Sequence, residues 1–416
     1  MSLKDRKEVG SLFQYPLLDA IARRRTRRFP VGCSLDVGTT QHKSKNPPTS
    51  LNEIETAVLC WAGAGVTGVI ASDLQTPGMG NTFCSWVGRA TALPCSYPTA
   101  KLFFTNDDGV YLYDPKEARK VVEIDTEDDW DKIVDDYKSN SFKVQEGRLG
   151  AEEGLLTHMR WNSNKPGTTI FMPIVDLTAE YINLLFGCFQ GEGYQMIDDL
   201  TGEPAGVGKW IDKGVLNGPQ VPVSSIEYLT YNASIGPSFL QIQNIQLVAE
   251  AIGLGSIPMA GYQGTIMLGG TDLTKGLNFH FGKDRKGNAY CVGLKDYYET
   301  YCPPFMSISE AVETFHTEKF GSCGLYAYNF EGPQPFKDKE QILPGYETVS
   351  EQTIEITKDY CNYIYETYGR FPLNYDPIAM PIWIQIHHIE TEWYDKYQVD
   401  GLISDHHRTH MERWHK

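Results

Sequence analysis

Apolar side chains at Leu240, Ile245, Leu247, Val248, Ala249, Ala251 and Ile252 spread around nearly the whole circumference of a helix, which predicts that this segment lies inside the protein. Gly253 is placed to end that helix in the left-handed conformation, with Leu254 as the apolar residue that often follows such a cap. The chain continues as Ile257-Pro258-Met259-Ala260-Gly261-Tyr262. Pro258 fixes its own φ and lacks an N–H, and Gly261 has no Cβ, so a flat ligand has room to lie close to this backbone. An ordinary helix–turn–strand corner carries the same pattern.

Elsewhere the alternation predicts smaller units. Pro16 opens a helix through Leu17, Leu18, Ile21 and Ala22, which delivers the run Arg23-Arg24-Arg25-Thr26-Arg27-Arg28-Phe29. Residues 31–49 read as a polar loop. Ser50 with Glu53 forms a capping box, and Leu51, Ile54, Val58 and Trp61 behind it keep one helical face until Gly63 and Gly65. Residues 101–105 and 110–113 flank Asn106-Asp107-Asp108-Gly109, a hairpin turn. The acidic stretch 123–136 reads as a solvated helix or loop. Residues 168–175 predict a buried strand and 180–189 a helix behind it, while 191–218 is glycine-rich and loop-like. Strands and helices mix without βαβ alternation, and no G-x-G-x-x-G follows a strand. An α+β layer fold is expected, and a doubly wound nucleotide-binding sheet is not.

The chain of 416 residues is long enough for one elaborated domain or two. Hydrophobic content of 41% with 22% charged residues fits a globular chain. An excess of 53 acidic over 37 basic residues argues against nucleic acid and anionic membrane as partners. No secretory signal pattern is visible, and the weakly polar run 57–71 is too short to span a bilayer. Nine cysteines without a C-x-x-C pair indicate neither a disulfide framework nor a thiolate zinc site, so a cytoplasmic location is expected.

Five arginines within residues 23–28 repel one another, and an acidic protein does not need them for solubility. A doubly charged phosphate among them accounts for the cluster, because arginine binds phosphate through paired, charge-assisted hydrogen bonds. Thr26 adds a hydroxyl donor. Salt bridges to the acidic excess, or a basic patch, are the alternatives.

A phosphate clamp after an N-terminal helix, followed far downstream by a Gln243-Asn244 helix, Gly253-Leu254-Gly255-Ser256 and Pro258-Met259-Ala260-Gly261-Tyr262, resembles the nitroreductase family of FMN enzymes. The segment 50–65, the stretch 89–98 ending in Tyr97-Pro98, and Gly109-Val110-Tyr111-Leu112-Tyr113-Asp114-Pro115 are similar to its SagB-like branch. The resemblance covers about residues 12–115 and 168–300. It implies a nitroreductase-like FMN-binding fold, with a central mixed or antiparallel sheet flanked by helices. The core would be 12–300 with an insert at about 116–167, and 301–416 would form a C-terminal extension. FMN is the implied cofactor, with Arg24, Arg25, Thr26 and Arg28 at its phosphate and ribityl end, and Pro258, Ala260 and Gly261 lining the isoalloxazine ring. The resemblance also implies a homodimer acting on a small-molecule substrate, with NAD(P)H or a bound substrate as hydride source and a nitro compound or quinone as acceptor.

The chain departs from the family's pattern in size, since the acidic insert and the tail beyond residue 316 have no counterpart in minimal members, and at two motifs. Thr91-Ala92-Leu93-Pro94-Cys95-Ser96 stands where the SagB-like branch has Pro-Ser-Ala-Gly, and Pro303-Pro304 is followed by Phe305-Met306-Ser307 instead of the phosphate-binding Lys-x-Arg. Arg23 and Arg27 are then candidates to replace the missing cations. No catalytic acid or base is assigned. Azoline dehydrogenation of a modified peptide is one alternative function, and a flavin-free scaffold with a histidine-rich, metal-binding tail is another. In that tail His406 and His410 would share a helical face, a spacing able to hold a metal, although complementing a helix dipole explains such histidines equally; no metal site is assigned. Cys95 sits in the loop expected at the flavin, as a redox thiol or a small buried side chain. No G-x-S-x-G points to a hydrolase.

Overall fold

The computed structural model describes residues 2–71, 87–94, 97–115, 123–260, 264–321, 335–346 and 348–415. Its centre is a seven-stranded sheet: β1 (Ala100–Thr105), β2 (Gly109–Tyr113), β3 (Ser141–Glu146), β4 (Thr169–Asp176), β5 (Gly255–Met259), β6 (Ile378–Ala379) and β7 (Trp383–His387). The spatial order is β5-β7-β4-β1-β2-β3, with β6 also on β4, and every pairing is antiparallel. The helices that matter below are α1 (Leu17–Arg23), α2 (Glu53–Ala64), α3 (Leu177–Gln190), α4 (Val223–Ile252), α5 (Ile308–Phe320), α6 (Glu351–Tyr368) and α7 (His410–Trp414). The architecture is α+β, an antiparallel sheet flanked by helices.

Every residue of β4 is buried, as an unbroken apolar run at the middle of a sheet requires. The β1–β2 hairpin forms where the alternation placed it. Asn106 Oδ1 accepts from the N–H groups of Asp108 and Gly109, so the side chain itself shapes the turn. One face of the sheet packs Leu102, Phe104, Phe171, Ile384 and Ile386 against α2 and α4. A Cβ on Gly63 would lie 2.9 Å from Ile245 Cδ1, so this glycine sets how closely α2 approaches α4. The opposite face packs Phe103, Met172, Ile257 and Met259 against Met267, Leu277 and Phe279. A third cluster joins α3, α5 and α6 through Tyr181, Phe186, Phe315 and Tyr360.

Several expectations are revised. The central helix is 30 residues long and begins at Val223. Gly253 ends it at φ 100°, and Leu254 N–H donates to Ala249 O as that cap requires. Its apolar circumference is not enclosed by its own chain: Phe239 is 43% exposed and Leu240 41%. The capping box of α2 is Asn52 with Glu55, two residues later than the Ser50–Glu53 pair. The acidic stretch does form a helix, Asp131–Asn140, but it buries Ile133 with the preceding Trp130. The glycine-rich region 191–218 holds a short strand and a short helix. Residues beyond 300 do not stand apart from the sheet, since β7 lies between β5 and β4. Among the described residues no helix is long and apolar enough to cross a membrane.

Candidate functional site

After α1 the backbone leaves the helix at Arg24, with ψ 126°, and continues without helix or strand as far as the bridge at Pro30. There it pairs with the segment following β7: Pro30 bridges Ile389, Val31 N–H donates to His388 O, and Glu390 N–H donates to Phe29 O. The arginines of this segment do not share one environment. Arg27 points inward and is 3% exposed. Its Nη1 donates to Glu250 Oε2 at 2.5 Å and its Nε to Leu402 O at 2.9 Å. Burial alone would raise the Glu250 carboxyl, but the His407 hydrogen bond and the Arg27 charge hold it below its ordinary range. Arg27 is therefore committed to the fold and does not replace a missing phosphate ligand.

The remaining arginines are differently placed. Arg24 Nη1 donates to Gln246 Oε1 at 3.0 Å, and Gln246 Nε2 donates to Ser256 Oγ at 3.2 Å. That chain of two hydrogen bonds ties the arginine segment through α4 to β5. Arg25 is exposed and turned back on α1, donating to Ala22 O and Arg24 O at 3.0 and 2.9 Å. Thr26 and Arg28 are exposed, and the Arg28 carbonyl accepts from Asn162 Nδ2 at 2.8 Å. Arg23 faces Asp19 only at 3.9 Å.

Strand β5 is an edge strand that pairs with β7 alone, so its outer backbone edge has no strand partner among the described residues. Ile257 and Met259 enter the core on one face, and by alternation Ser256 and Pro258 lie on the α4 face. Pro258 is half-buried and Ala260 exposed; Gly261 lies outside the described residues. From Ser256 to Ala260 an extended strand covers about 13 Å. Arg24 thus meets the strand near one end of that span, with Pro258 and Ala260 toward the other. Sequence reasoning missed Gln246 and Asn162, the amides that join these segments. Nothing local marks them for this role, since Gln246 meets Arg24 and Asn162 meets Arg28 across more than a hundred residues of chain.

A cleft of about 520 Å³ opens where β1 begins and β4 ends. Arg89, Tyr97, Lys101, Asp114, Asp176 and Tyr298 line it. Lys101 Nζ pairs with Asp114 Oδ2 at 2.9 Å and stands 4.5 Å from the Tyr298 ring centroid. The Tyr298 hydroxyl donates to Thr99 O at 2.8 Å, which fixes the ring under that ammonium. Asp176 caps α3, with Oδ1 accepting from Thr178 N–H, Thr178 Oγ and Ala179 N–H. Burial pushes its carboxyl up to about 6, against the pull of those donors. The cleft can hold a polar ligand beside a fixed cation, and Asp176 can exchange a proton there near neutral pH. Its walls include Tyr97 and Asp114 from the segments singled out in the sequence, whereas Lys101, Asp176 and Tyr298 were not foreseen. The Asp176-x-Thr178 start of α3 is the one local signal that marked any of them.

The residues after Pro304 build structure instead of a phosphate site: Phe305 and Met306 pack on the third core cluster, and Ser307 caps α5 in a box with Glu310. In the tail the helix is interrupted at Thr409, and His406 and His410 turn to adjacent carbonyls at the end of α4, Ala251 O and Ile252 O. His406 is fully engaged, its Nε2–H donating to Ala251 O at 2.5 Å and its Nδ1 accepting from Arg413 Nη1 at 2.7 Å. Cys95 lies outside the described residues.

No protein-family model matches the chain, and none of the curated proteins matches it in sequence. Among solved structures it is similar to a candidate nitroreductase from Ralstonia eutropha JMP134, with 14% identity and a TM-score of 0.28 over 61% of this chain and 73% of that one.

Proposed function

We propose that this chain is an FMN-dependent oxidoreductase of nitroreductase type, working as a homodimer on a small-molecule substrate. The observation that carries the reading is the Arg24–Gln246–Ser256 relay, which joins a cluster of cations to an edge strand running into Pro258 and Ala260. The residues fit the cofactor in part. Arg24 retains guanidinium donors beyond the one on Gln246, and Arg25 and Arg28 are exposed cations on the same segment. These three would hold the phosphate, with Thr26 as a hydroxyl donor. Pro258 and Ala260, with Gly261 beyond them, would support the ring. When bound, the flavin supplies hydride acceptance and return at its central ring. The protein's part is to clamp the phosphate, present the free edge of β5 and exclude water.

The dimer is supported by apolar surface that a monomer has no reason to expose. Leu17, Leu18 and Ile21 on α1 are 64%, 77% and 49% exposed, and Phe239 and Leu240 lie on the neighbouring α4. The oxidised nicotinamide or dehydrogenated substrate would leave as product, and an electron-poor acceptor would complete the cycle.

Titrating the purified chain with FMN and following quenching of flavin fluorescence tests the proposal. Saturation at one FMN per chain is expected. Arg24→Ala should weaken binding about 10- to 100-fold, because a hydrogen bond to a charged group is typically worth about 1.5–3 kcal/mol. A wild-type chain that binds no FMN, or an Arg24→Ala variant that binds it as tightly as wild type, would overturn the assignment.

A further inference from the structure

We propose that Glu55, His388, His410 and His415 form a structural site for one divalent transition-metal ion, with zinc the best chemical match. These residues come from the first turn of α2, the segment after β7, the start of α7 and the residue just past its end. One ligand atom from each lies within 4.8 Å of all the others. Glu55 Oε1 is 2.9 Å from His410 Nε2 and 3.2 Å from His415 Nε2. Tetrahedral bonds of roughly 2.0–2.1 Å place neighbouring donor atoms about 3.3 Å apart, so the carboxylate and these two rings already stand near the required spacing.

The surroundings orient the donors as a metal requires. Ligating histidines ordinarily donate their other ring N–H to a carbonyl or carboxylate, which fixes the tautomer. Here a carbonyl can only accept, so His410 Nδ1–H donates to Ile252 O at 3.1 Å and leaves Nε2 facing Glu55. In the same way His388 Nε2–H donates to Ser50 O at 3.3 Å. That leaves His388 Nδ1 as a bare nitrogen, on a residue 2% exposed, with no hydrogen-bond partner among the described residues. The other oxygen of Glu55 is used separately, accepting Asn52 N–H at 2.7 Å in the α2 capping box. Oε1 therefore faces the histidines of the cluster, and the carboxyl cannot rotate away without opening the cap.

An orphaned imidazole nitrogen inside a protein costs stability unless something binds it. A cation shared by three imidazoles and one carboxylate satisfies that nitrogen and the facing lone pairs at once. Nitrogen and oxygen donors of this kind suit zinc. Four protein ligands leave no open position, so the role is structural: the ion clips the C-terminal segment onto α2 and the strand end. This site is independent of the flavin proposal and shares no residue with it.

The test strips the full-length protein with a chelator and then titrates it with Zn(II), and in parallel with Co(II). One zinc per chain by elemental analysis, a higher melting temperature on adding Zn(II), and the visible absorption of four-coordinate Co(II) are expected. His388→Ala and His410→Ala should lose the Co(II) spectrum. If those buried variants do not fold, His415→Gln serves, since that ring is partly exposed; it should bind Co(II) at least about tenfold more weakly, while His406→Gln binds as wild type. A stripped wild-type protein whose melting temperature ignores Zn(II) and which gives no Co(II) absorption would overturn the proposal, leaving a proton-sharing His–Glu network.

Discussion

Arg27→Ala separates the arginine that holds the fold from those proposed to hold a ligand. The guanidinium and the Glu250 carboxylate are 4% and 2% exposed and 2.5 Å apart. Truncating Arg27 leaves Glu250 buried, with the His407 ring facing it at 3.5 Å as the one ion-pair partner left among the described residues. Removing one member of a buried pair typically costs about 3–5 kcal/mol, most of it the penalty on the abandoned charge. A chain of 416 residues unfolds with an entropy of roughly 0.9 kcal/mol/K, so the loss should appear as a fall in melting temperature of about 3–6 °C. Replacing both partners, as Arg27→Met with Glu250→Leu, removes the abandoned charge and should recover most of the loss. Differential scanning calorimetry on the three proteins reads this directly. FMN affinity of Arg27→Ala, measured well below its melting point, should match wild type, the reverse of the pattern expected for Arg24→Ala. A single variant melting within about a degree of wild type, or a double variant no more stable than the single, would refute the reasoning.

Other predictions follow from individual residues. Gly253→Ala should cost about 1–3 kcal/mol by urea denaturation, because φ is 100° there and the new Cβ would lie 2.9 Å from His406 O. Asp176 keeps its proton to about pH 6 in the fold, whereas an unfolded aspartate ionises near 3.9. The native state then binds more protons between about pH 4 and 6, and stability falls across that window as pH rises. Asp176→Asn keeps the Oδ1 acceptor of the cap and should flatten that slope; urea midpoints at several pH values that fall equally in both proteins would contradict it. Leu240→Asp, which places a charge on the exposed face of α4, should shift the sedimentation coefficient from dimer to monomer at micromolar concentration, and an unchanged coefficient would remove that face from the dimer proposal.

Much of the local structure was legible. The Asn106–Gly109 turn, the Gly253 cap and the buried run of β4 each depend on residues close together in sequence, and each formed as expected. Where two local solutions compete, a distant contact decides. Ser50–Glu53 and Asn52–Glu55 have the same capping spacing, but Asn52 Nδ2 also donates to Trp414 O at 3.0 Å and Glu55 is drawn into the histidines. The arginines show the same limit more sharply. Five guanidinium groups look equivalent along the chain, yet only Arg27 finds Glu250, and only Arg24 finds Gln246. No periodicity encodes a partner more than two hundred residues away. The exposure of Leu240 has a different cause: an apolar helix surface in sequence does not say whether its own chain or another molecule covers it.

The position of β7 constrains how this protein is made. While residues up to 382 are emerging during synthesis, β4 and β5 have no strand to join them, and each shows an open hydrogen-bonding edge. Those edges invite pairing with other nascent chains until the late strand slots between them. Completion of the sheet is thus a closing step, made across a long sequence separation and correspondingly slow. A C-terminal truncation before Trp383 would therefore remove the keystone of the sheet and expose two aggregation-prone margins, instead of trimming a peripheral tail.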